Sequence, residues 1–202
     1  MKLEQPTIKA VLIAVFASML GIANIAATKV VTIATVSTTA GVLPIAVAYL
    51  ISDIGVERYG KQFGHTLVWS GVASLIGVIG VSQLVIALPG SSAVNDVLGA
   101  SMPILLASIL SILVAQHGDI ALFVTIRDKL PYRPTRNIGS TVVSQLLDTS
   151  MFSLLAFFVF PQVIGGQVLA LGLIASIIIT EWVIKVIIAI IDTPLFIAAT
   201  EQ

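Results

Sequence analysis

The sequence contains no cysteine in its 202 residues. That excludes a disulfide framework, a thiolate nucleophile and a cysteine-based metal site, and it leaves the redox compartment unread. Two histidines, His65 and His117, are too few to argue for a metal centre. Charge is scarce as well. Asp, Glu, Lys and Arg make up 10% of the chain, against roughly 25% in an ordinary soluble domain. Neither sign is in surplus, since ten Lys and Arg meet ten Asp and Glu, so no basic face is available for nucleic-acid phosphates. What remains is apolar: 57% of the residues are hydrophobic and the mean hydropathy is +1.09. So few charges cannot cover that much apolar surface in water. A cytosolic enzyme, a nucleic-acid binder and a disordered chain are excluded, and the composition reads as an integral membrane protein.

Long stretches free of Asp, Glu, Lys and Arg locate the membrane segments: Ala10–Thr28, Val30–Ser52, Thr66–Asn95, Val97–Gly118 and Thr149–Thr180. A helical span needs about 20 mostly apolar residues. Pro161 and Gly165-Gly166 divide the last stretch between two spans, and Pro89-Gly90 punctuates the third. The pattern predicts one all-α transmembrane domain over residues 1–202. Its six helices fall near 8–29, 40–59, 66–88, 102–126, 138–160 and 168–191. The runs are continuous rather than alternating, which favours helices over a barrel. The first runs on at full spanning length, unlike a cleavable signal, so the N-terminus is expected to be retained. Six spans also sort the positive charges. Lys2, Lys9, Arg58, Lys61, Arg127, Lys129, Arg133 and Arg136 all fall on one side, which places both termini in the cytoplasm and the chain in the inner (cytoplasmic) membrane.

Ionisable groups within the spans carry the functional signal, because each is costly there, by roughly 2.5–3.5 kcal/mol on insertion scales. Asp148 lies about halfway along the fifth helix, beside Ser144, Gln145 and Thr149. On the sixth, Glu181, Lys185 and Asp192 share one stripe, and Glu181 with Lys185 has the i, i+4 order of an ion pair. On the second, Tyr49, Asp53 and Glu57 follow one another at single-turn spacing. Asn24 lies inside the first span and Lys29 closes it. The competing reading for each is structural: a helix-to-helix hydrogen bond, a self-neutralising pair or a snorkelling side chain. Ala10, Ala14 and Ser18 give the first helix a small-residue face. No Gly-x-Ser-x-Gly, His-Glu-x-x-His, P-loop or Gly-x-Gly-Asp motif is present, so no nucleophile and base can be assembled and an enzyme is not expected.

Several motifs point to a known family. Ser52-Asp53-Ile54 with Glu57 and Tyr59-Gly60-Lys61 resembles its "SDI..E.YGK" element. Arg136-Asn137-Ile138-Gly139-Ser140-Thr141, followed by Ser144-Gln145, Asp148-Thr149 and Phe152, is similar to "RNIGST..SQ..DT..F". Lys185 and Asp192-Thr193-Pro194 resemble its closing "K......DTP", and Asn24-Ile25 with Lys29 fits its first helix. The family is that of the queuosine precursor transporters, also called the VUT family. The resemblance spans about residues 22–196.

It implies a six-helix importer of 7-deazaguanines, chiefly 7-cyano-7-deazaguanine, with its 7-aminomethyl relative as a second substrate. The implied fold is similar to that of the substrate-binding subunits of energy-coupling-factor transporters. No cofactor is implied; the partners are the small-molecule substrate and the bilayer, with a homo-oligomer or energising subunits left open. The alternative is a binding subunit of an ATP-driven vitamin-type transporter for another small aromatic metabolite. A deazaguanine presents two parallel donors that a carboxylate accepts. Asp148, with Asp53 or Glu57 as substitutes, is expected to supply it. Asn24, Asn137, Gln145 or Lys185 would bind the carbonyl or the 7-substituent, and Tyr49, Phe152 or Trp182 would stack on the ring. The chain departs from the family at Val94, Asp96 and Ile104 and at Phe63-Gly64-His65, positions that bear on ligand preference.

Overall fold

A computed structural model of the chain describes residues 4–33, 35–90, 92–118, 120–121, 125 and 145–200. Helix α1 (Gln5–Ala26) starts with Pro6 in its first turn, where a missing N–H costs no helical hydrogen bond. Next comes a hairpin the sequence reading did not anticipate, β1 (Val30–Ile33) and β2 (Val36–Thr39), paired antiparallel with Val30 opposite Thr39. Hydropathy over the charge-free run reported only its apolarity. The local composition, a string of Val, Ile, Thr and Ser, favours extended backbone. The first helix consequently ends at Ala26 rather than 29, and Lys29 is exposed in the turn before β1. The hairpin base is closed by the Ala40 N–H donating to the Lys29 carbonyl at 2.9 Å.

Helix α2 (Val42–Tyr59) ends at Gly60, whose φ of 81° reverses the chain in a single residue, so α3 (Lys61–Ala87) begins at Lys61 and not near 66. Helix α4 (Ser92–Ser111) continues as a π-turn, Ile112–Gln116. It starts ten residues earlier than the sequence reading placed it, because Pro89-Gly90 breaks the chain only just before it and Asn95-Asp96 is accommodated in its exposed first turns. Helix α5 (Gln145–Ile164) contains a second π-turn, Leu155–Val159. The Leu169 N–H folds back to the Phe157 carbonyl at 3.0 Å after Gly165-Gly166. Helix α6 (Leu171–Thr200) runs through Pro194 and past the expected end at 191.

Among the described residues, five helical segments are long and apolar enough to cross a membrane: Gln5–Ala26, Lys61–Ala87, Ser92–Ala115, Gln145–Ile164 and Leu171–Ile191. The architecture is that of a helical membrane protein carrying one small hairpin. Helix α2, at 18 residues, bears Asp53, Glu57 and Arg58 and packs against α1, α3 and α6. Apolar packing centres on Phe16 and Leu20 of α1, Ile51 and Val56 of α2, Leu67 and Leu75 of α3, Leu105 of α4 and Phe196 of α6. A second cluster joins Ala27, Ile104, Ala107, Ala156, Phe157 and Ile174.

Candidate functional site

The polar side chains that the apolar packing leaves inside converge on one cleft. It is lined by Ala23 and Asn24 of α1, by Ala27, by Thr39 of β2, by Gly41 and the Ile45 and Tyr49 of α2 that follow it, by Ser108 and Ser111 of α4 and Ile112 of its π-turn, by Asp148 and Phe152 of α5, and by Glu181 and Lys185 of α6. The space free of protein atoms is about 440 Å³, part of it open to solvent. The centre of a water molecule can move through only about 40 Å³ of it, so the cleft is narrow. All the long helices except α3 contribute; α4 was not expected to.

The buried ion pair spans two helices. Lys185, 6% exposed, donates to Thr149 Oγ1 at 2.9 Å and lies 3.6 Å from Asp148 Oδ2, itself 6% exposed. Tyr49 binds the same carboxylate oxygen through its hydroxyl at 2.5 Å, and Lys185 Nζ is 5.6 Å from the centre of the Tyr49 ring. A cation, a carboxylate and a phenol from α6, α5 and α2 are thus locked together. The expected Glu181–Lys185 pair along α6 does not form. Glu181, 3% exposed, instead takes the backbone N–H of Thr39 at 3.1 Å and the Thr39 hydroxyl at 2.5 Å, both on Oε1. The hairpin is therefore fastened to the membrane-buried stretch of α6 at the edge of the cleft.

Asn24 is oriented by its own bonds. Its amide nitrogen donates to the Leu20 carbonyl at 2.8 Å and to Ser108 Oγ at 3.1 Å. A backbone carbonyl can only accept, so the nitrogen must face it. Both amide hydrogens are used, and Oδ1, without a partner among the described residues, is what Asn24 has left to offer. With its nitrogen occupied in this way, Asn24 presents an acceptor rather than a donor. Ser111 Oγ is likewise buried without a partner.

Of the residues singled out from sequence, Asn24, Tyr49, Asp148, Phe152 and Lys185 line the cleft. Asp53 is buried on α2, one turn beyond Tyr49, and Glu57 is partly buried a further turn on; neither lines it. Gln145 is buried at the start of the described part of α5 and its Oε1 has no partner among the described residues. Lys29 is exposed, and Trp182 does not line the cleft. Asn137 lies outside the described residues, as does the side chain of Asp192. The structure adds Thr39, Ser108 and Ser111, and it brings in Glu181, which the sequence marked without assigning it to the ligand. Only Glu181 had a sequence signal, a carboxylate in a strongly apolar helix. Among the described residues, no three His, Cys, Asp or Glu side chains converge to hold a metal ion.

Residues 39–199 match a family model described as "Putative vitamin uptake transporter". The chain is also 28% identical over 190 residues to a Bacillus subtilis (strain 168) protein named "Probable queuosine precursor transporter", covering 89% of this chain and 79% of that one. No solved structure matches.

Proposed function

This chain belongs to the vitamin uptake transporter family, a family of transporters and not of enzymes, and from that premise we propose that it carries queuosine precursors, 7-cyano-7-deazaguanine and its 7-aminomethyl relative, into the cytoplasm. The observation that carries the reading is the cleft itself, where three buried ionisable side chains and two unpartnered polar oxygens meet at the centre of an apolar protein. Groups so costly to bury are kept in membrane proteins where a solute passes. The narrow cleft matches a flat, mostly neutral heterocycle. Phe152 supplies an aromatic wall, and Asp148 and Asn24 supply acceptors for the amino and ring N–H donors. In this reading α2 is the sixth crossing, with Asp53 and Glu57 towards its cytoplasmic end, and both termini lie on the cytoplasmic side of the inner membrane.

Purified protein in liposomes should accumulate labelled 7-cyano-7-deazaguanine, and deazaguanines should raise its melting temperature while adenine does not. Asp148→Asn should weaken binding about tenfold or more, because the neutral amide turns an acceptor partly into a donor towards the base edge. Unchanged affinity would remove Asp148 from the site. A second reading is that of a binding subunit driven by an ATPase partner. It draws on the Ala10, Ala14 and Ser18 stripe of α1, which is exposed and free to meet another helix. Uptake by the purified protein alone eliminates it.

A further inference from the structure

The cleft holds two carboxylates and one ammonium among the described residues. Lys185 neutralises Asp148 and turns towards α5, where its bond to Thr149 fixes it. Among the described residues Glu181 has no such partner. Its contacts, the N–H and hydroxyl of Thr39, are neutral dipoles, and both fall on Oε1, leaving Oε2 without a donor among the described residues. A carboxylate buried against neutral groups in an apolar protein favours any ligand that brings a positive charge to it.

We infer that Glu181 makes this site selective for a ligand bearing a cation, so that among 7-deazaguanines the 7-aminomethyl compound is preferred over the 7-cyano compound. The inference rests on the deazaguanine reading above. A primary alkyl amine is protonated at neutral pH, as a lysine side chain is. Its ammonium donates a charge-assisted hydrogen bond to the free oxygen of Glu181 and cancels the net charge of the cleft. A nitrile brings no proton and no charge, and leaves Glu181 uncompensated. The ring donors common to both ligands are served elsewhere, by Asn24 Oδ1 and by Asp148, whose charge is already balanced.

The test measures affinities of the purified full-length protein for three ligands that differ only at the 7-position: aminomethyl, hydroxymethyl and cyano. The hydroxymethyl compound has nearly the size of the aminomethyl one without its charge, so the natural protein alone tests the idea. It is expected to bind the aminomethyl ligand roughly ten- to hundredfold tighter than either neutral ligand. Glu181→Gln should bring the three within about threefold of one another, mainly by weakening the aminomethyl ligand. Because the readout is a ratio within one preparation, partial misfolding does not imitate it. Equal affinities in the natural protein overturn the inference. So does a Glu181→Gln protein in which all three ligands weaken in parallel, since Glu181 would then be reading the shared base edge. Both outcomes leave deazaguanine transport standing. No binding of any of the three to the natural protein overturns the transport reading and this inference with it.

Discussion

Lys185→Met is expected to abolish uptake and to destabilise the protein by about 3–5 kcal/mol, the cost of stranding a buried charge. Lys185 is the ammonium beside Asp148, 3.6 Å away, and its removal leaves a carboxylate held, among the described residues, by the Tyr49 hydroxyl at 2.5 Å. Methionine replaces the length of the lysine stem, so packing against the Tyr49 ring survives and the effect reports the charge. The double substitution Asp148→Asn with Lys185→Met removes both charges. Replacing a buried pair with neutral groups is often harmless to stability, so most of the lost melting temperature should return. Uptake should not return, because the acceptor has gone as well. Thermal unfolding in detergent alongside uptake in liposomes separates the two. A single Lys185→Met protein that melts like the natural one would show that Asp148 does not depend on this lysine.

The sequence identified Lys185 and Asp148 as unusual but assigned Lys185 the wrong partner. The i, i+4 rule describes an isolated helix, where Glu181 and Lys185 are the nearest opposite charges. In the folded chain Thr39 occupies Glu181 and α5 offers Lys185 both a hydroxyl and a carboxylate, so tertiary contacts replace the local pair. The same limit explains Asn24. Residue type and depth marked it, but whether it donates or accepts depends on the Leu20 carbonyl and Ser108, which only the packed structure brings to it. Hydropathy located the long helices because it sums over many residues. It missed the hairpin because residues 30–39 fell between two expected spans, inside an apolar charge-free run that hydropathy does not resolve into strands. Helix α2 stands between these cases: its burial against three helices lets it carry Asp53, Glu57 and Arg58, and those charges separate it by composition from the other five.

Gly41→Val is expected to cost more uptake than any other substitution of a single small residue at the cleft. Gly41 precedes α2 with an ordinary φ of −68°, so its backbone does not demand glycine. Space does. A Cβ there would lie 2.5 Å from the Ala23 carbonyl oxygen and 3.1 Å from Ala27 Cβ. The first is backbone, and that oxygen already accepts the Ala27 N–H at 2.9 Å at the end of α1. No rotamer change relieves the clash, so α1 and α2 must separate. Overpacking of this kind typically costs about 1–3 kcal/mol. The functional loss should exceed the loss of stability, because Ala23, Asn24, Ala27 and Gly41 all line the cleft and Tyr49 rides on the helix that moves. Displacing α2 by about an ångström would carry the Tyr49 hydroxyl out of hydrogen-bond range of Asp148. Gly41→Ala should show a smaller version of both losses. Gly77 in α3 provides the contrast: nothing lies within 4 Å of its would-be Cβ, so Gly77→Ala should leave uptake unchanged and hold or raise the melting temperature. Full uptake by Gly41→Ala would mean that α1 and α2 are less closely apposed than these distances require.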